Sequence, residues 1–212
     1  MKRIFLIDDH PVFRVGITSV IALEPDLEVC GSVSTAREAL ERLPGAAADL
    51  VISDLTLPDK NGLELIKDIR PHLPALPILV VSMHEEEVYA MRVIRAGARG
   101  YLMKEKSDQL IPAIRTVLAG HVYVDPAMLS RFLGTGVPGP LDCLSDRELQ
   151  VFEMVGWGKS NVQIADQLHI SERTVDAHCT HIRSKMGLED HIALLCCAVH
   201  WVESGKPANR GS

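Results

Sequence analysis

The chain lacks any run long and apolar enough to cross a membrane as a helix. Its longest uninterrupted apolar stretch, Ile192 to Val199, has eight residues, against the ~20 that a spanning helix needs. Lys2-Arg3-Ile4-Phe5-Leu6-Ile7 begins like a secretory leader, but Asp8 and Asp9 end its apolar part after four residues, short of the ~7 such a segment requires. The expectation is a cytoplasmic protein with no membrane partner. Paired cysteine is missing too. Cys30, Cys143, Cys179, Cys196 and Cys197 are odd in number and form no C-x-x-C pair, which argues against a disulfide framework or a zinc site. Positive charge is scarce, with a net charge of -6; this speaks against a strongly basic nucleic-acid binder, although a sum over the chain conceals local patches. There is no internal repeat and no low-complexity segment. What remains is an ordinary globular mixture, 47% hydrophobic and 24% charged, which excludes disordered and collagen-like classes. At ~150 residues per domain, 212 residues make one medium domain or two small ones.

Two patterns divide the chain. Up to about Gly120, short β-branched runs alternate with amphipathic stretches: Ile4 to Ile7, Leu27 to Gly31, Leu50 to Ile52, Ile78 to Val81 and Gly100 to Met103. Strands without polar alternation belong to a sheet covered on both faces. Thr35-Ala36-Arg37-Glu38 predicts a capping box before one intervening helix, Asn61-Gly62 precedes Leu63, Ile66 and Ile69 at helical spacing, and a last helix is expected from about Ser107 to Ala119. The reading is an α/β domain, a doubly wound five-stranded parallel sheet. Gly134-Thr135-Gly136-Val137-Pro138-Gly139-Pro140 then breaks both periodicities and reads as a linker. Beyond it the pattern is all-α. Ser145-Asp146-Arg147-Glu148 and Ser160-Asn161-Val162-Gln163 are capping boxes, Ser171 caps a third helix and Asp190 begins a fourth. The expected organisation is a first domain over 1–120, a linker over 121–142, a helical domain over 143–205 and a polar tail over 206–212.

In a doubly wound sheet the carboxyl ends of the strands converge on one crevice. Strand one ends at Asp8-Asp9, strand three at Asp54, strand four at Ser82 and strand five before Lys104. Any one of these residues has a bland reading as a loop start or helix cap. Delivered together to one edge, they mean more. Three carboxylates repel one another unless a hard cation sits among them, and oxygen donors of this kind suit Mg²⁺. Lys104 and Ser82 add a point charge and a hydroxyl donor, the groups that a phosphoryl oxygen needs.

These motifs resemble the receiver domain of two-component response regulators: Asp8-Asp9, Asp54 followed by Leu57-Pro58 and Gly62, Val80-Val81-Ser82-Met83, and Gly97-Ala98-Arg99-Gly100-Tyr101-Leu102-Met103-Lys104. The resemblance implies a flavodoxin-like fold in which Asp54 accepts a phosphoryl group from a histidine kinase. It implies that Asp9, Asp54 and the backbone carbonyl of Thr56 bind Mg²⁺ with help from Asp8, that Lys104 neutralises the phosphoryl oxygens, and that Ser82 and Tyr101 form the switch pair. Thr56 and His84 stand at positions that in this family set phosphate lifetime; His84 reads equally as an exposed loop residue. Glu105 stands where many receivers carry proline, which leaves the shape of that loop open.

The helical half carries Ile164-Ala165 and Ile170-Ser171 around a turn, with small Ala165 where two helices must cross closely. Spacing of this kind is shared by any two packed helices. Leu144-Ser145-Asp146-Arg147-Glu148, Gly158-Lys159-Ser160-Asn161, Thr174-Val175, His178 and Lys185-Met186-Gly187 resemble the LuxR-type DNA-binding domain, and the whole chain the NarL/FixJ class of response regulators. That implies a transcription factor, not an enzyme, which binds double-stranded DNA and forms a homodimer on phosphorylation. The recognition helix is expected over Glu172 to Met186, with Ser171, Arg173, Thr174, Asp176, Ala177, His178, Thr180, His181, Arg183 and Lys185 as contacts. From Cys143 onward seven basic residues face nine acidic ones, a net of -2, so a single copy should hold DNA weakly. Arg173, Arg183, Lys185 and partly protonated His178 and His181 remain to meet phosphates. Two other readings stay open on the residues. One is a signalling adaptor that binds protein through the helical domain, favoured by Asp176 and the negative charge. The other is a phosphohydrolase forming an aspartyl phosphate at Asp54, which would want a second Asp where Thr56 stands.

Overall fold

The computed structural model describes residues 1–83, 86–124 and 141–204, in two compact units, Met1–Val137 and Pro138–Ser212. His84, the Gly134–Pro140 linker and the tail over 206–212 lie outside the described residues. Among those described, no helix is long and apolar enough to cross a membrane.

In the first unit five parallel strands, β1 (Lys2–Ile7), β2 (Leu27–Val33), β3 (Leu50–Ser53), β4 (Ile78–Ser82) and β5 (Gly100–Met103), run in the order β2-β1-β3-β4-β5. All of β3 and β4 is buried, whereas the middle of edge strand β2 is only half-buried. That gradient is why the central strands read as unbroken apolar runs. Four helices connect them, α1 (Pro11–Ile21), α2 (Ala36–Arg42), α3 (Gly62–His72) and α4 (Glu86–Ala96), and α5 (Leu110–Leu118) follows β5. Ile17 and Ile21 of α1 and Leu110, Ala113, Ile114 and Val117 of α5 pack on Ile4, Leu6, Ile52, Leu79, Val81 and Leu102, one face of the sheet. Side chains alternate along a strand, so Phe5, Ile7, Val51 and Val80 serve the opposite face. The strand order reverses between β1 and β3, which puts the ligand crevice of this fold at the ends of those two strands.

Local expectations were met in most places and modified in three. Thr35 does accept from the Glu38 N–H at 3.2 Å, but the Glu38 carboxylate reaches back to the N–H of Ser34 instead of closing the box on Thr35. Lys104–Gln109 is a 3-10 turn, so α5 begins at Leu110 and not near Ser107. Tyr123, placed by sequence in the linker, bridges β5: the Tyr101 N–H donates to its carbonyl at 2.8 Å and its own N–H to Arg99 at 2.9 Å.

Among the described residues the second unit has four helices, α6 (Asp146–Gly156), α7 (Asn161–Leu168), α8 (Glu172–Met186) and α9 (His191–Ser204). Both capping boxes form, at Ser145/Glu148 and Ser160/Gln163. Ser171 accepts from the Thr174 N–H and Asp190 from the Ala193 N–H. Each satisfies amides that the first turn leaves unpaired. Gly187, in the left-handed region at φ 66°, ends α8, a conformation that glycine adopts without the Cβ clash. Among the described residues Leu149, Val151, Phe152, Ile164, Val175, Ile182, Leu194 and Ala198 are its fully buried apolar side chains.

Candidate functional site

Strand geometry brings Asp8, Asp9 and Asp54 to the crevice, and neighbouring backbone holds them there. The Asp54 N–H donates to the Ile7 carbonyl at 2.8 Å, locking the end of β3 to the end of β1. Asp54 Oδ1 accepts from the N–H groups of Leu55 at 2.6 Å and Thr56 at 3.3 Å, and Oδ2 from Lys104 Nζ at 2.7 Å. The following loop is braced twice. Asp59 accepts from the N–H groups of Ala36 and Arg37 at the start of α2, both at 2.9 Å, and Gly62 passes so close that a Cβ there would lie 2.5 Å from the Asp54 carbonyl oxygen.

Lys104 spans the cluster. Its ammonium is 2.7 Å from Asp8 Oδ2 as well as from Asp54 and stands 4.3 Å from the centre of the Phe13 ring. Burial opposes the charge on Lys104, but Asp54 and Asp8 outweigh it and hold its pKa above the ordinary lysine value. Burial also pushes the Asp54 carboxyl above its ordinary value; Lys104 pulls it down and Asp8 pushes it up again. One ammonium therefore does not balance the carboxylates gathered here. A divalent cation would, and Asp9 Oδ1 is buried without a hydrogen bond, with His10 Nδ1 at 2.8 Å from it. Ligand atoms of Asp8, Asp9, His10 and Asp54 all lie within 4.8 Å of one another, close enough to share one ion at the ~2.0–2.6 Å bonds of Mg²⁺ or Ca²⁺.

In the second unit α7, a left-handed turn at His169 and α8 form a helix-turn-helix. Val175, Cys179 and Ile182 face the core at helical spacing, which leaves Arg173, Asp176, Ala177, Thr180 and His181 exposed along α8. Ser171 is exposed at the N-cap, Thr174 half-buried beside it. Arg183 is also half-buried, its Nε inside the fold without a hydrogen bond. Lys185 is less free for phosphate than its sequence position suggests, because its amine donates to Glu148 Oε2 at 2.6 Å. The expectation of a partly protonated His178 needs correction: burial, and then the charge of Arg147, lower its pKa and favour the neutral ring.

Residues 4–115 match the response regulator receiver domain family, and residues 142–198 match bacterial regulatory proteins of the luxR family. The chain is a response regulator of the NarL/FixJ class. It is 34% identical over 199 residues to the oxygen regulatory protein NreC of Staphylococcus carnosus (strain TM300), spanning 88% of this chain and 92% of that one. It is 33% identical over 195 residues to the DNA-binding transcriptional activator DevR/DosR of Mycobacterium tuberculosis (strain ATCC 25618 / H37Rv), over 89% and 90% of the two chains. Among solved structures, RcsB from Salmonella enterica serovar Typhimurium, bound to a promoter in the presence of the phosphomimetic BeF3-, shares its fold with a TM-score of 0.71 and 27% identity, over 94% of this chain and 98% of that one. DevR/DosR is a DNA-binding transcriptional activator and RcsB is seen bound to a promoter, and the response regulator carries a receiver and a LuxR-type DNA-binding domain, which sets aside the adaptor and phosphohydrolase readings.

Within this response regulator the structure brings Asp8, Asp9, Asp54 and Lys104 together as the strand order requires. Ser82 and Tyr101 are both fully buried on β4 and β5, and the Thr56 side chain is exposed at the mouth of the loop. Sequence reasoning missed His10 and Phe13. Both follow the Asp8-Asp9 pair directly, and the signal was available, since imidazole is the commonest protein metal ligand; only carboxylates were sought.

Proposed function

We propose that this response regulator is phosphorylated on Asp54 by a histidine kinase in the cytoplasm and that the phosphoryl group controls pairing of two copies on double-stranded DNA. The observation that carries the proposal is the Asp54 carboxylate itself, fixed by two backbone N–H groups and Lys104 among acidic neighbours. Asp8, Asp9, Asp54 and the backbone carbonyl of Thr56 would hold Mg²⁺, which would offset negative charge on the transferred group. In the transfer the kinase N–P bond breaks and an O–P bond to Asp54 forms, leaving the imidazole nitrogen to the kinase. Lys104 draws one phosphoryl oxygen, and Ser82 donates its hydroxyl to another, with the Tyr101 ring in its inward position. Positioning and charge neutralisation are most of what phosphoryl transfer asks of a protein. Thr56 and, by its sequence position two residues beyond Ser82, His84 set the lifetime of the phosphate.

On the DNA side, Ser171, Arg173, Thr174, Asp176, Ala177, His178, Thr180, His181, Arg183 and Lys185 form the contact surface of α8, whose N-terminal part enters the major groove. With net charge -2 from Cys143 onward, one copy binds weakly. Two copies on one site gain by effective concentration, which makes pairing the point of control. The test is selection of random-sequence duplexes by the full chain, with and without an acyl phosphate and Mg²⁺. Enrichment of a two-half-site sequence only in the phosphorylated arm supports the proposal; equal enrichment with the Asp54→Asn protein contradicts it.

A further inference from the structure

His10 sits at the rim of the carboxylate cluster, and its geometry is that of a ligand instead of a cap. It is the N-cap residue of α1, yet its side chain makes no capping hydrogen bond. Its position is set from the main chain: its N–H donates to Asp8 Oδ1 at 2.7 Å, and Pro11 behind it restricts it to the extended backbone it adopts. From there the ring Nδ1 lies 2.8 Å from Asp9 Oδ1, 3.3 Å from Asp8 Oδ1 and 3.9 Å from Asp54 Oδ2. The shortest of these contacts lies within ion-pair distance but does not meet hydrogen-bond geometry. A nitrogen and an oxygen at this distance, in a set whose ligand atoms all lie within 4.8 Å of one another, are spaced as neighbouring ligands of one ion. In octahedral coordination at ~2.1 Å, adjacent donors stand about 3 Å apart and each is directed at the metal.

We propose that His10 Nδ1 is a direct ligand of the cation held by Asp8, Asp9 and Asp54, and that this mixed nitrogen and oxygen set takes a first-row transition-metal dication more tightly than Mg²⁺. The inference rests on the reading of the cluster as the receiver's cation site and specifies which cation it prefers. Oxygen-only sets suit Mg²⁺, whereas imidazole adds affinity for later first-row dications, in the order Mn²⁺, Fe²⁺, Co²⁺, Ni²⁺. The ring is 59% exposed, so its second nitrogen stays at the solvent side and keeps its proton when Nδ1 binds metal.

Co²⁺ is the probe, added to the full-length protein and followed by proton NMR. Ligation through Nδ1 gives a strongly shifted, solvent-exchangeable imidazole N–H signal from Nε2. The expected result is that signal in the natural protein, with Co²⁺ bound about tenfold or more tighter than Mg²⁺ in competition. His10→Asn keeps a good N-cap for α1 and should lose the signal and about tenfold of the Co²⁺ affinity, with a smaller loss of Mg²⁺ affinity, so that the ratio of Co²⁺ to Mg²⁺ affinity falls. His10→Ala should behave alike. A shifted signal that persists in His10→Asn, or an unchanged ratio of Co²⁺ to Mg²⁺ affinity, overturns the assignment of His10. Asp9→Ala separates the two levels: it should abolish both cations' binding, and if Co²⁺ and Mg²⁺ binding survive it unaltered, the cluster is not the cation site and both readings fall.

Discussion

Removing Glu148 should cost the DNA-binding unit a large share of its stability. Glu148 is buried, and its Oε2 accepts from the Ser145 N–H at 2.7 Å and from Lys185 Nζ at 2.6 Å. It thereby closes the cap of α6 and ties α6 to the last turn of α8, 37 residues away. Loss of one half of a capping box costs about 0.5–1 kcal/mol. A hydrogen bond to a charged partner is worth ~1.5–3 kcal/mol when shielded, but the Lys185 side chain is 41% exposed, and solvent screening brings its share towards ~1 kcal/mol. Glu148→Ala should therefore destabilise the unit by about 2 kcal/mol. A unit of this size carries only ~3–10 kcal/mol in all. The assay needs no isolated fragment: both tryptophans, Trp157 and Trp201, lie in the second unit, so their fluorescence in urea follows that unit within the full chain. Glu148→Gln, which can still accept from Ser145, should lose about 1 kcal/mol. The pH dependence has a definite sign. Burial pushes the Glu148 carboxyl up, but Lys185 and Ser145 outweigh it and hold the folded pKa below the ordinary 4.5. Its contribution is therefore complete above the unfolded pKa and lost as pH falls through the folded one. The gap between the natural protein and Glu148→Gln should accordingly be full at neutral pH and close as the pH falls through the folded pKa, below 4.5. Coincident urea midpoints at neutral pH, or a gap that ignores pH, would refute this account of the contact.

Three further outcomes are expected. Gly62→Ala pushes a methyl group against the Asp54 carbonyl and Leu55 Cα, at 2.5 and 2.7 Å, and should destabilise the receiver by ~1–3 kcal/mol in calorimetry while slowing phosphorylation. Lys104→Met leaves Asp8 and Asp54 buried without their ammonium and should cost ~3–5 kcal/mol in metal-free buffer, a loss that added Mg²⁺ partly restores. Asp176 is exposed on α8, so Asp176→Lys should tighten binding to all duplexes and raise the salt dependence by about one ion; sharpened preference at one base pair instead would mark Asp176 as a base-reading residue.

Much of the receiver was legible because its central strands are buried on both faces, so that β3 and β4 stand out as apolar runs ending in Asp54 and Ser82. Caps were legible for a similar reason, each being an interaction over three residues. The start of α5 was misplaced although the signal was present. A helix begun near Ser107 would put Pro112 where an N–H must donate to the preceding turn, whereas a start at Leu110 leaves Pro112 in the first turn, where none is needed. The Lys185–Glu148 pair was not legible, because the two residues are remote in sequence and no local pattern encodes the contact. The neutral tendency of His178 likewise follows from packing that only the assembled unit creates.

The central claim is that Asp54 is the phosphoacceptor, and intact-protein mass spectrometry after incubation with Mg²⁺ and a small acyl phosphate tests it most directly. The account predicts addition of a single phosphoryl group to the natural protein, little to Asp9→Ala and none to Asp54→Asn. A phosphoryl group carried by Asp54→Asn at the level of the natural protein would contradict it.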